Sequence, residues 1–287
     1  MRLQKPRAYQ IVGDTEVEVP VNYVRREGLV GFNMGRYDRR RALIIDPVLV
    51  YSTFFGGTAG SDGLSQGIGA LALDSSGNLY VAGFTNSTSF PVTNGVVDPN
   101  PAPSFISKLD PTGTSLIFST YIQGIGIGAL AVDAQGNVYV ADGGQKGLPI
   151  PTGSNPFQAN VKTIALLKLN PTGTAVLNAT YFGGSGLDTV SGLAIDSADD
   201  VYLAGSTSSN DFPVQNPLQS ALGTSGASGF VTEFNPALSA LIYSTYLGAN
   251  SKVNMQSTEG LALDALGDAY VVGSANPGFP TTRARIR

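Results

Sequence analysis

Four aspartates recur at one place in a repeated pattern: Asp74, Asp133, Asp196 and Asp264, each followed six residues later by a tyrosine (Tyr80, Tyr139, Tyr202 and Tyr270). Paired carboxylates are the machinery of glycoside hydrolysis, and a row of tyrosine rings would stack on sugars. Repetition argues against both readings. The aspartates are 59, 63 and 68 residues apart and always sit in the same tight-turn sequence. They read as structural turn residues, and the tyrosines as packing between repeats.

The absences narrow the chemistry further. The chain has no His and no Cys, which removes the commonest general base, the commonest transition-metal ligand and every disulfide or thiolate site. Oxygen-rich groups remain: Asp62 and Asp188 in Gly-rich connections, and Asp196, Asp199 and Asp200 at a turn. Ca²⁺ is the one ion such oxygens could hold. None of them shows the D-x-[DN]-x-[DN]-G spacing, so they read as turn caps, with no metal and no cofactor expected. Gly124–Gly128 (GIGIG) mimics a dinucleotide loop, but no helix pattern follows it.

Composition agrees with a turn-rich β protein. Hydrophobic residues make up 42% and charged ones 13%, with 36 Gly and 17 Pro. No long window carries a capped helical stripe. Residues 1–46 hold nine basic and six acidic side chains, whereas 47–282 hold five and fifteen. The main body therefore lacks the basic surface that nucleic-acid phosphates require. The cluster Arg36, Arg39, Arg40 and Arg41 reads as charge guarding a strand edge. No apolar run is long enough for a membrane span, and MRLQKPRAYQ lacks the core of a signal peptide.

The elements that position these residues come in two modules. The first, G-[AL]-x-[AI]-x-D-x-x-G-[ND]-x-Y-[VL], occurs at 69–83, 128–142, 192–205 and 260–273, and a Phe/Leu-Pro pair follows each Asp by 15 or 16 residues. The second is two strands around a turn led by Asp110, Asn170 or Asn235: FISKLDPTGTSLIFSTY (105–121), ALLKLNPTGTAVLNATY (165–181) and FVTEFNPALSALIYSTY (230–246). A shortened copy, ALIIDPVLVYSTF, stands at 42–54. Asp or Asn leading a turn accepts amide hydrogens, Pro presets φ, and Gly accepts positive φ. Each period thus holds four antiparallel strands, A to D, which predicts an all-β propeller of four-stranded blades.

With YSTFFGG (51–57), NATYFGG (178–184), the G-x-A-x-D-x-x-G-N-x-Y-V-A-G run and the downstream Phe-Pro, the chain resembles the bacterial SBBP-type β-propeller repeat proteins. The resemblance implies a propeller within a large exported or cell-surface protein, of a family without one general activity. Residues 1–42 read as a β-rich N-terminal segment of three strands, and 43–287 as propeller. The blades are expected at about 69–122, 128–182 and 192–247, with a fourth joining 260–282 to 42–54. A ring closed through that fourth blade and a fragment of a larger ring are both consistent with this order.

Short A–B and C–D turns fall on one face, and long, dissimilar B–C and D–A loops on the other. Variable loops on a rigid scaffold are where binding resides. This places ligand contacts at Asp62, Asn86, Asp188, Asn210 and Asp211, and predicts a non-enzymatic module for protein or polysaccharide, its oligomeric state open. The alternatives are a carboxylate/Tyr hydrolase or lyase acting on polysaccharide, and a purely structural adhesin repeat.

Overall fold

The computed structural model describes residues 6–26, 29–46, 53–58, 65–223, 226–248, 257–275 and 279. These residues form nineteen strands and no helix. The chain divides into two compact units, Met1–Phe54 and Phe55–Arg287.

The first unit holds five strands: β1 (Arg7–Val12), β2 (Thr15–Val19), β3 (Val21–Arg26), β4 (Leu29–Met34) and β5 (Ile44–Asp46). β2 and β3 are separated by Pro20, which has no N–H to give a ladder. The sheets are β2-β1-β5 and the hairpin β3-β4. Ala8, Val19 and Val21 are buried against Met34, Tyr37, Leu43 and Ile45. Arg39, Arg40 and Arg41 lie on a bend after β4, held where the Gln10 side chain bonds Asp38 and the Arg41 carbonyl.

The expected boundary at 42/43 moves to 54/55, and the expected blade joining 42–54 to 260–282 changes with it. The C half of the shortened copy is β5, which pairs with β1 (Ala8 opposite Ile45) and packs into the small core of unit 1. An apolar strand sides with the nearest sheet that buries it, and β1 with Leu43 and Ile45 does so here. Residues 47–52 of the copy lie outside the described residues.

The second unit is built of repeated sheets. Blade 1 is β6 (Gln66–Leu73), β7 (Leu79–Thr85), β8 (Ser104–Leu109) and β9 (Leu116–Ile122). Blade 2 is β10 (Ala129–Val132), β11 (Val138–Gly143), β12 (Ile164–Leu169) and β13 (Val176–Phe182). Blade 3 is β14 (Asp188–Ile195), β15 (Val201–Thr207), β16 (Ser228–Phe234) and β17 (Leu241–Leu247), and a fourth sheet pairs β18 (Ser257–Leu263) with β19 (Ala269–Ser274). Each complete sheet runs A-B-C-D with antiparallel neighbours. The A strands stand side by side: β6 touches β10, β10 touches β14, and β14 touches β18. That series of innermost strands is the propeller arrangement.

Period-2 alternation sends successive side chains to opposite faces of a blade. Tyr80 and Ala82 join a core with blade 2 residues such as Val138 and Leu167, while Val81 faces the other way with Phe90 and Phe105. Tyr139 and Ala141 likewise pack with Val201, Phe230 and Phe234 of blade 3. The repeated tyrosine thus points at the following blade. In the last sheet Tyr270 has no such cover among the described residues and is 60% exposed.

Candidate functional site

On the short-turn face each repeated Asp organises its own turn. Asp74 Oδ1 accepts the amides of Ser76 (3.0 Å) and Asn78 (2.9 Å), and Asp133, Asp196 and Asp264 repeat the pattern. The position after the turn's second corner needs positive φ. Gly77, Gly136 and Gly267 occupy it at 82°, 85° and 85°, and blade 3 places Asp199 there at 67°. The C–D turns are capped in the same manner by Asp110, Asn170 and Asn235, each accepting amides four and five residues on. All seven residues accept the amides of their own turns.

The second carboxylate oxygen of the repeated Asp has further partners. In blade 1 Asp74 Oδ2 accepts from Asn78 Nδ2 (2.7 Å) and the Tyr80 hydroxyl (3.3 Å), and pairs with Lys108 Nζ at 3.3 Å. Lys108 lies 4.8 Å over the Tyr80 ring. Blade 2 repeats this with Asn137 (2.7 Å), Tyr139 (3.1 Å), Lys168 (3.8 Å) and a 4.9 Å ring contact. Burial works to raise the Asp74 pKa, but the hydrogen bonds from Asn78 and Lys108 outweigh it and hold the group below its usual value. Burial, then the neighbouring Asp133 charge, raises the Tyr139 pKa.

Blade 3 departs at two of these positions. Asp200 stands where blades 1 and 2 carry Asn78 and Asn137, as Asp268 does in the last sheet, and Glu233 stands opposite Tyr202 where Lys108 and Lys168 stand opposite Tyr80 and Tyr139. Burial, then the charges of Asp196 and Asp199, raises the Asp200 pKa. Burial also raises that of Glu233 despite a bond from Tyr202, and pushes Tyr243 up to about 12. The sequence signal for Glu233 is the K, K, E exchange across FISKLDP, ALLKLNP and FVTEFNP, which the aspartate pattern at 196, 199 and 200 does not carry.

On the long-loop face the expected ligand groups divide. Asp188 is 2% exposed. Its Oδ1 accepts from Thr207 (2.5 Å) and Ser209 (2.8 Å), and its Oδ2 from Thr163 (2.7 Å) and the Gly184 amide (2.9 Å). Four donors fill a carboxylate's acceptor sites, so Asp188 locks three loops together and is not available to a ligand. Gln66 takes its place in blade 1, accepting the Gly57 amide. Asn86 is exposed and accepts the Ser65 amide (2.8 Å), while Asp211 is exposed and accepts the amide and hydroxyl of Ser185 (2.7 and 2.9 Å). Those bonds from Ser185, with Lys162 nearby, keep the Asp211 pKa below its usual value. Asn210 is exposed at the loop tip. Asp62 lies outside the described residues.

The loops are anchored at their base by a recurring latch. The tyrosine of each S/A-T-Y run donates to a B–C loop carbonyl and accepts the amide of the residue before the conserved Pro. Tyr121 bonds Ser87 O (2.6 Å) and Phe90 N (3.2 Å), Tyr181 bonds Gln145 O (2.5 Å) and Leu148 N (3.4 Å), and Tyr246 bonds Ser209 O (2.7 Å) and Phe212 N (3.2 Å). This ties the two sequence modules together.

Residues 178–213 match the model of the β-propeller repeat (SBBP), and residues 1–48 match a domain of unknown function, DUF7948. The matched repeat runs from β13 through the Asp188 loop and the β14–β15 hairpin to Phe212-Pro213. No curated protein matches. Among solved structures, the crystal structure of the WD40 β-propeller domain of Doa1 is similar at 12% identity and a TM-score of 0.29, over 85% of this chain and 82% of that one; at that score it carries no argument. Repeated A-B-C-D sheets, adjoining A strands and the matched repeat lead to one conclusion: the chain is an all-β, propeller-like repeat protein carrying the SBBP β-propeller repeat.

Proposed function

We propose that residues 55–287 act as a non-enzymatic binding scaffold of an exported or cell-surface bacterial protein, taking a protein or polysaccharide through the long-loop face. The observation that carries this reading is the cross-tying of the loops. The D–A and B–C loops of blade 3 are joined at Ser185–Asp211, Gly186–Ser209 and Leu187–Ser208, and those of blade 1 at Thr58–Ser89 and Ser65–Asn86. Loops of dissimilar sequence are thereby held in fixed shapes, which lowers the ordering cost of binding. The same loops expose Asn210 and Asp211, and also Leu187 at 68% and Leu218 at 77%. Two described carboxylates of these loops serve loop structure: Asp188 is saturated, and Asp211 is held ionised by Ser185.

The test is an array of bacterial polysaccharides and surface proteins probed with the full chain, with hydrolysis products assayed on the same polysaccharides. The expected result is saturable binding without turnover, weakened on the order of tenfold by Leu187→Ala or Asn210→Ala. Turnover of a polysaccharide, or binding indifferent to every loop substitution, overturns the reading.

A further inference from the structure

We propose that two copies of this chain associate head to tail, the outward face of the β18–β19 sheet of one copy docking on the open face of blade 1 of the other. The interface needed already exists inside unit 2, where each sheet packs on the next. The repeated tyrosine and the second residue after it point forward at the following sheet, and Tyr80, Ala82, Tyr139, Ala141, Tyr202 and Ala204 are all buried. Val190 and Leu130 meet such residues from the following sheet and are 7% and 9% exposed. Among the described residues the same positions stand open at the two ends of the series. Tyr270 and Val272 repeat the forward pair at 60% and 65% exposure, while Ile68 and Leu71 repeat Val190 and Leu130 at 59% and 52%. The two ends are therefore the two halves of one interface.

The repeat also sets the register of the contact. At Gly192 of blade 3 an added Cβ would lie 2.6 Å from the Cβ of Leu261 in the next sheet, so an A-strand leucine closes over the A-strand glycine before it. At Gly136 and Gly267 an added Cβ would lie 3.7 and 3.9 Å from the hydroxyls of Tyr80 and Tyr202, so each tyrosine reaches the A–B turn of the sheet after it. Carried across the ends, Leu71 of the second copy closes over Gly260 of the first, and Tyr270 of the first reaches the Gly77 turn of the second. The receiving side holds a cavity of about 290 Å³ lined by Phe55, Gln66, Gly67, Ile68, Phe90 and Phe105. At the junction of blades 2 and 3 the corresponding rings, Phe182, Phe212 and Phe230, are buried in one core with Tyr139 and Ala141. Val272 stands where Ala141 does and brings two more carbons to fill that space.

A second copy is the occupant that carries both faces. One association covers the open ends of both molecules at once, and burying two apolar contacts together drives it. A head-to-tail contact closes into a ring when the rotation per copy allows. Two copies supply eight sheets, within the roughly four to eight blades with which propellers close.

Sedimentation velocity of the full chain tests this from about 1 to 200 μM, a range set by the micromolar or tighter affinity of well-matched interfaces. The expected result is a monomer–dimer equilibrium with no larger species. Leu71→Asp spoils only the receiving face, and Val272→Asp only the docking face. Both side chains are exposed in the single chain, so each variant folds, with an unchanged far-ultraviolet circular dichroism spectrum. Each alone weakens dimerisation at least about tenfold. Mixed in equal amounts they dimerise again, because Leu71→Asp keeps its docking face and Val272→Asp its receiving face. Wild type that stays monomeric across the range, a dimer that survives either substitution, or a mixture no more dimeric than its components overturns the proposal. Growth past the dimer shows that the two ends do not close on each other, and overturns it too.

Discussion

Replacing Tyr246 with Phe isolates the loop latch from the packing around it. Tyr246 is 1% exposed and its ring stacks near Phe212 at 5.9 Å, so Phe keeps the apolar contacts and loses only the hydroxyl. That hydroxyl serves Ser209 O at 2.7 Å and Phe212 N at 3.2 Å, and both residues are buried, at 1% and 3% exposure. Each orphaned buried backbone group costs roughly 1–3 kcal/mol, so Tyr246→Phe, which orphans two, is expected to lose about 2–6 kcal/mol. For a unit of this size that lowers the melting temperature by at least about 4 °C. Urea unfolding followed by far-ultraviolet circular dichroism measures the loss, and amide exchange at Phe212 should quicken. Tyr270→Phe is the control: its hydroxyl also makes a bond, to Asp264 at 3.1 Å, but the residue is 60% exposed. Its expected cost is within about 0.5 kcal/mol. If Tyr246→Phe matches Tyr270→Phe, the latch does not hold the loop and the reasoning fails. Tyr121→Phe, which cuts the same latch in blade 1, should reproduce the larger loss.

Three other outcomes follow from the geometry. Asp199→Gly should raise the urea midpoint, gaining about 0.5–1 kcal/mol, because it relieves a non-glycine φ of 67° and removes a charge acting on Asp200. Gly205→Ala should cost at least about 1–3 kcal/mol by the same measurement, since a Cβ there runs into the Thr189 carbonyl and within 2.7 Å of the Phe230 ring. Glu233→Gln should be more stable than wild type at pH 7. The Glu233 pKa is raised above 4.5 by burial, so the fold favours the protonated form and its ionisation is destabilising above that raised value. The gap between the two proteins should therefore close as pH falls toward about 4.5. A gap constant with pH would refute the assignment.

The turns were legible in the sequence because their encoding is local. An Asp capping amides two and four residues on, a Pro corner and a Gly at positive φ all lie within six residues, and physical chemistry fixes their geometry wherever they occur. Recurrence at one strand position likewise marked Tyr80 and Tyr139 as packing residues, but that each faces the following blade came from the packed sheets. The Phe-Pro and S-T-Y motifs were visible as words, but that one latches the other across 34 residues in blade 3 required the strand register that brings Tyr246 to Phe212.

What tertiary structure alone decided was which of several compatible partners each group took. The stretch around β5 carries a propeller-strand pattern, yet it sides with β1, because pairing and burial against Ala8 lie within reach in unit 1. Asp188 and Asp211 look alike in a polar loop, but one is enclosed by four donors and the other stays at the surface. Glu233 reads as an ordinary strand residue until the register sets it opposite Tyr202 and beside a turn 37 residues away. Sequence determined the repeat and its turns, since those depend on neighbours along the chain. Burial and charge at each site depend on neighbours in space, and only the packed blades supply them.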